Sequence, residues 1–210
     1  EIAKKKDKSF LLIYPTLLGE APMTLGMLGT VLVQEGFKVT TLVNTFQYPL
    51  SVEDFVNKAK EDKADWVGIS MLSYQVLFSY EIADALRKEG FKVILGGAHP
   101  TVAPEEGAEH AEIVVRQEGE DTLKEIVQGE IPLSEIAGVT TSQVKAPDRP
   151  RINNPPIPDL TVYDKERYTD ENGFIRGFHR IYTTRGCPGY CSFCDWKVFK
   201  QEMVEYDIKG

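Results

Sequence analysis

Short apolar runs alternate with helix-like segments along the first two-thirds of this chain, and that alternation leaves few folds open. Ser9 to Tyr14 is an apolar run that ends at Pro15. Met23 to Glu35 reads as a helix stopped by Gly36, and Phe37 to Val43 as a strand. Ser51 is placed to N-cap a helix through Asp62, with Val52, Phe55, Val56 and Ala59 on one face. Trp66 to Ser70 reads as a buried strand, Val76 to Lys88 as a helix with Gly90 at its end, and Phe91 to Leu95 as the next strand. Glu112 to Val115 and a helix from Asp121 to Gln128 complete the series. Repeated βα units predict a parallel sheet covered on both faces. Right-handed crossovers then give an α/β, Rossmann-like (flavodoxin-like), doubly wound sheet. Such sheets bind ligands beyond the carboxyl ends of their strands.

After Gly129 the pattern loosens. Ala137 to Ser142 is a candidate edge strand, and Lys145 to Pro158 is rich in proline, with Asn153 and Asn154 between. It reads as an extended linker. Arg180 to Thr184 reads as a strand leading into a second region. The expected division is a ligand-binding domain over 1–130, an edge strand and linker over 131–179, and the start of another domain over 180–210.

That last region holds every cysteine of the chain. Cys187, Cys191 and Cys194 fall within eight residues, in a C-x3-C-x2-C run. Soft thiolates on one loop select an iron–sulfur cluster or zinc. Three protein ligands leave one corner of a four-iron cluster open to a substrate or cosubstrate. A structural zinc knuckle is the competing reading; it wants a fourth ligand, for which His179 is the nearest candidate.

Composition narrows the class further. A net charge of −8 with no basic block argues against a nucleic-acid partner. No apolar run approaches the roughly 18–20 residues that span a bilayer. The charged start, Glu1 to Lys8, has no apolar stretch of a secretory signal. Clustered cysteines without a disulfide pattern point to a reducing, cytoplasmic setting.

The run Arg185-Gly186-Cys187-Pro188-Gly189-Tyr190-Cys191-Ser192-Phe193-Cys194 resembles the cluster motif of the radical S-adenosylmethionine (SAM) enzymes. The resemblance implies a 4Fe–4S cluster held by the three thiolates. Its fourth iron would be chelated by the amino and carboxylate groups of SAM, and electron transfer would cleave SAM to a 5′-deoxyadenosyl radical. It also places Phe193 near the SAM adenine and implies an electron donor such as flavodoxin or ferredoxin.

Small residues gather where a doubly wound sheet binds ligands. Ser70-Met71-Leu72 follows the third strand, Gly96-Gly97-Ala98-His99-Pro100-Thr101 the fourth, and Gln117-Glu118-Gly119-Glu120 the fifth. Small residues let a bulky ligand approach the backbone. Ser70-Met71-Leu72 and Gly96-Gly97 resemble two signatures of the cobalamin-binding domain of methionine synthase and its relatives. The third signature, D-x-H-x-x-G, is missing: Ala21 stands for its aspartate and Met23 for its histidine. The resemblance therefore implies cobalamin without a histidine ligand from this loop. Its nucleotide tail would lie beside the sheet along the small residues, where a bulky residue at Gly97 is expected to block it.

This departure, the G-G-x-H-P-T run and the acidic turn together resemble cobalamin-dependent radical SAM proteins, with Gln117 where glycine is usual. Glu118 and Glu120 are then either a solvated turn or contacts to corrinoid amides, and His99 is a loop packing residue rather than a metal ligand. The implied function is methyl transfer to a small-molecule substrate, with cobalamin carrying the methyl group; some relatives close rings or rearrange. A corrinoid carrier or sensor ending in a metal knuckle is the alternative. A plain flavodoxin-like regulatory domain without cofactor lacks support, because no acidic pair follows the first strand of this chain to hold magnesium at a phosphoacceptor site. Only 16 residues follow Cys194, too few for a radical SAM barrel. The expectation is a cobalamin domain, a linker and an incomplete barrel segment, inactive alone, with no catalytic residue of its own.

Overall fold

The first strand makes two cores from one apolar run. In β1 (Ser9–Leu18), Leu11 and Ile13 enter one core while Phe10 and Leu12 enter another, and all four are buried. Side chains alternate across a strand, so a continuous apolar run serves both faces. The computed structural model describes residues 8–18, 22–150, 155–164, 183–189, 191–194 and 203–205. After β1 come α1 (Met23–Gln34), β2 (Lys38–Thr45), α2 (Val52–Glu61), β3 (Trp66–Ser70), α3 (Val76–Lys88) and β4 (Lys92–Gly96). Two short helices, α4 (Ala98–Val102) and α5 (Pro104–His110), precede β5 (Ile113–Val115), α6 (Glu120–Gln128) and β6 (Val139–Thr140). Two further strands, β7 (Thr184–Arg185) and β8 (Val204–Glu205), pair antiparallel in a small sheet of their own.

The main sheet has the order β2-β1-β3-β4-β5-β6. Its first five strands are parallel, and β6 closes the edge antiparallel to β5. The chain winds outward in both directions from β1 and β3, which makes the fold Rossmann-like and doubly wound. The crevice between those two strands is the topological switch point. Helices α2 and α3 cover one face, packing Phe55, Ile82 and Leu86 over Leu11, Ile13 and Val67. Helices α1 and α6 cover the other, packing Leu25, Leu32, Leu123 and Ile126 toward Phe10 and Leu12. Each such side chain contributes about 1.5–3 kcal/mol by leaving water.

Local signals set the helix ends. Ser51 accepts a hydrogen bond from Asp54 N, and Asp54 Oδ2 accepts one from Ser51 N at 2.8 Å, a complete capping box. Gly90 closes α3 with φ of 89°, a left-handed conformation that glycine takes without strain.

Two features depart from the sequence reading. The Gly-Gly-Ala-His-Pro-Thr segment is helical from Ala98, and α5 follows it at once with Pro104 in its first turn. Both helices are too short to show a 3.6-residue period. The proline-rich stretch is held against the domain along its described residues. Arg116, itself buried, donates to Asp148 and to the carbonyls of Ala146 and Pro147, while Arg149 Nε donates to Thr122 Oγ1 at 2.7 Å. Further on, Ile157 O accepts from Thr30 Oγ1 at 2.5 Å and Asp159 N donates to Gly26 O at 3.1 Å. A Cβ on Gly26 would sit 2.9 Å from Pro158 Cβ, and one on Gly29 3.0 Å from Val162. The two glycines let this strap lie close on α1.

Candidate cofactor slot and cysteine loop

The two cores differ at the carboxyl ends of the strands. On the α1 and α6 side the sheet carries no side chain at Gly68 or Gly96, and a cavity of about 260 Å³ opens there. Its walls are mainly apolar, with Leu12, Leu25, Leu28, Ile94 and Leu123 among them. Polar groups gather at the strand ends: Ser70, Gln117, Glu118, Glu120 and Arg185. The register that pairs Ser70 with Gly96 sets β3 and β4 side by side at this floor.

The two adjacent glycines do different things. A Cβ on Gly96 would make only ordinary contact, with Val115 O nearest at 3.7 Å, so the position admits a side chain. A Cβ on Gly97 would lie 2.6 Å from Met71 O and 2.9 Å from Met71 N, and Gly97 has φ of 101°. Gly97 is thus required by the crossing of two backbone segments. A bulky residue there would disturb the strand ends whether or not a ligand is present, so Gly96 is the position that addresses the slot itself.

Other residues singled out in the sequence divide between slot and surroundings. Ser70, Gly96, Gly97, Ala98, Glu118, Gly119 and Glu120 line the cavity. Met71 is fully buried in the opposite core, as strand alternation after Ser70 requires. Leu72 and Pro100 lie outside the lining. Thr101 is also outside it but supports the rim: its Oγ1 donates to Gly97 O and accepts from Gln117 N, both at 2.8 Å. Met23 begins α1, half-buried and away from the lining.

His99 Nδ1 lies 3.1 Å from Ser73 Oγ, and its ring meets Tyr80 edge-on at 6.0 Å. Tyr80 in turn stacks on His110 at 4.0 Å. Burial, and then the charge of Glu106, push the Tyr80 phenol well above its usual range. Among the described residues, no histidine lines the cavity. Ala21 and His179 lie outside the described residues.

Gln117 and Arg185 line the slot, although the sequence assigns neither a role there. Gln117 has φ of 62°, a left-handed conformation that costs a non-glycine residue about 1–2 kcal/mol. Its side-chain oxygen is buried without a hydrogen-bond partner. The signal was present, because Gln117 occupies a place where glycine is usual. Arg185 came to notice only as a neighbour of the cysteines; no local pattern shows that it reaches the slot.

The cysteine loop lies on the surface, with all three thiols exposed and unpaired by disulfides. Gly189 N donates to Cys187 Sγ at 3.4 Å. A Cβ on Gly189 would lie 3.3 Å from Cys187 Sγ and 3.6 Å from Cys191 Sγ, so two sulfurs approach one point beside that glycine. Among the described residues, no three His, Cys, Asp or Glu side chains are gathered into a metal site. Phe193 is exposed on the same loop.

A wound parallel sheet with an apolar, glycine-floored slot at its strand ends defines a cofactor-binding domain. The family model of the B12 binding domain matches residues 20–127, and the chain belongs to that family. It is 33% identical over 150 residues to bacteriochlorophyllide d C-8(2)-methyltransferase of Chlorobaculum tepidum, covering 68% of this chain and 30% of that protein. The solved structure of TsrM from Kitasatospora setae, a radical S-adenosylmethionine methyltransferase, is similar with a TM-score of 0.68 and 21% identity. That match covers 96% of this chain and 43% of TsrM. OxsB, a cobalamin-dependent S-adenosylmethionine radical enzyme, is similar with a TM-score of 0.60 and 18% identity, covering 74% of this chain and 24% of OxsB. These two likenesses establish the fold. The chain spans 30% of the length of the Chlorobaculum relative. Among the described residues, no helix is long and apolar enough to cross a membrane.

Proposed function

We propose that this chain is the cobalamin-binding portion of a B12-dependent radical SAM enzyme whose reaction is methyl transfer. The observation that carries this reading is the slot floored by Gly68 and Gly96 within the residues that match the B12 binding domain. The residues present suit the nucleotide tail of the cofactor. The floor is bare, the walls are apolar, and the buried oxygen of Gln117 lacks a donor that a ligand could supply. When bound, cobalamin supplies methyl-carrier chemistry, and a 4Fe–4S cluster with SAM supplies radical chemistry.

The chain's own residues hold and shield. Leu12, Leu25, Leu28 and Leu123 exclude water from the slot. Ser70 and Gln117 offer hydrogen bonds at the strand ends, and α1, which begins with Met23, would offer a bound cobalt no histidine. Cys187, Cys191 and Cys194 are the donors for the cluster, and their thiolate chemistry suits it. The N–H of Gly189 toward Cys187 Sγ is a bond of the kind that tunes cluster potential. Phe193, exposed on the same loop, would supply an aromatic face to the adenine of a bound SAM. The substrate is a small molecule, the setting cytoplasmic, and the electron donor a flavodoxin or ferredoxin.

The same three free thiols serve one other reading, a corrinoid carrier whose cysteines form a structural metal knuckle. Anaerobic reconstitution separates the two. About four irons and four sulfides per chain, lost in Cys191→Ala, support the cluster. Stoichiometric zinc with no reconstitutable iron supports the knuckle. The cofactor itself is tested by titrating cobalamin into the chain and into Gly96→Phe, with weaker binding expected in the variant.

A further inference from the structure

The acidic turn at the mouth of the slot neither stands in solvent nor waits unpaired for a ligand. Glu118 and Glu120 keep only 8% and 4% of their side-chain surface exposed. Arg185 enters between them from the small sheet. Its NH2 donates to Glu120 Oε1 at 2.8 Å, and its NH1 lies 3.4 Å from Glu118 Oε1. The same NH2 lies 3.5 Å from Met27 Sδ on α1. All three charged residues line the slot, and Cys187 follows Arg185 by two residues.

Physical chemistry makes this contact more than a surface ion pair. Two carboxylates drawn from water at one place repel each other and lose hydration. A nearby cation offsets both costs, and a planar guanidinium with several donors can reach two carboxylates at once. A lysine presents one point charge and cannot span them equally well. The arginine therefore meets a demand that the turn creates. It also carries hydrogen bonds and ion pairs from the β7–β8 sheet, which holds the entry to the cysteine loop, across to the wound domain.

We propose that Arg185 is a positioning residue that, with Glu118 and Glu120, forms a latch seating the cysteine loop at the mouth of the corrinoid slot. The coupling part of this proposal rests on the cofactor reading above; the latch itself does not. If the latch closes one wall of the slot, filling the slot steadies the loop. By reciprocity, a loosened loop then weakens cofactor binding by the same factor.

Hydrogen exchange on the whole 210-residue chain, metal-free and anaerobic, tests this directly. The amides of residues 183–187 and of Gly189 are followed in the native chain, in Arg185→Met, in Arg185→Lys, and in a triple variant, Glu118→Gln with Glu120→Gln and Arg185→Met. The triple variant removes the buried charges together, so the latch is lost without stranding two carboxylates. Without cofactor, exchange at these amides should be roughly tenfold faster in Arg185→Met and in the triple variant, and intermediate in Arg185→Lys. Saturating cyanocobalamin should slow exchange there in the native chain but not in the two latch-free variants, which should also bind it several-fold more weakly. Native exchange rates at these amides in the folded triple variant would overturn the latch. Failure of the native chain to bind cyanocobalamin would instead overturn the cofactor reading, and the cofactor-free comparison would still judge the latch. An equal slowing by cyanocobalamin in native and triple chains would overturn the coupling.

Discussion

The two faces of one sheet have been put to different uses. Beneath α2 and α3, large side chains fill the space: Phe55, Ile82, Leu86 and Met71 are all fully buried. Beneath α1 and α6 the same strands present Gly68 and Gly96, and an apolar slot stays open. The backbone is shared, so the difference comes from a few side chains at the strand ends. A closed face supplies stability, whereas an open one keeps apolar surface available for a ligand to cover. Binding there substitutes for packing that the protein leaves undone.

Substitutions on either side should separate these roles. The largest effect on stability is expected from Phe55→Ala in the closed core, about 3–5 kcal/mol in urea unfolding, with cobalamin affinity little changed in the folded chain. Gly97→Ala should follow at about 3 kcal/mol, since it adds left-handed strain and a contact with the Met71 backbone. A small loss there would show that the strand-end crossing is looser than the structure draws it. Gly96→Phe should leave stability within about 1 kcal/mol. It should weaken cobalamin binding about 100-fold, equivalent to about 2.7 kcal/mol. Ser51→Ala, which removes the capping box of α2, should cost about 1 kcal/mol and leave binding untouched. A binding defect in Ser51→Ala or Phe55→Ala, measured on folded protein, would break the division of labour between the faces.

Much of the fold was present in local pattern. Strand alternation in Phe10 to Ile13, the Ser51 cap and the glycines after helices each act over a few residues, and each appears where the pattern put it. Long-range contacts leave no such trace. Nothing near Arg116 announces that it holds the proline-rich stretch, nor near Arg149 that it ties that stretch to Thr122, and only the folded chain shows Gly26 and Gly29 lying beneath its continuation. The site divides in the same way. Small residues at strand ends pointed to the slot, and the positive φ of Gln117 gives a physical reason for glycine at its place. Period-two alternation separates Ser70 from Met71, so the tripeptide does not serve the slot as one unit. Arg185 meets Glu118 and Glu120 only because the small sheet brings distant parts of the chain together.

Titration of cobalamin into the chain and into Gly96→Phe, followed by EPR of the cob(II)alamin form, tests the central claim most directly. The account predicts saturable binding to the native chain with one cofactor per chain, and binding about 100-fold weaker in Gly96→Phe. The bound spectrum should lack the nitrogen splitting of an axial imidazole or benzimidazole, because the tail would occupy the slot as proposed and no described histidine lines it. Equal affinity in both proteins, or a clear axial-nitrogen triplet in the bound state, would contradict it.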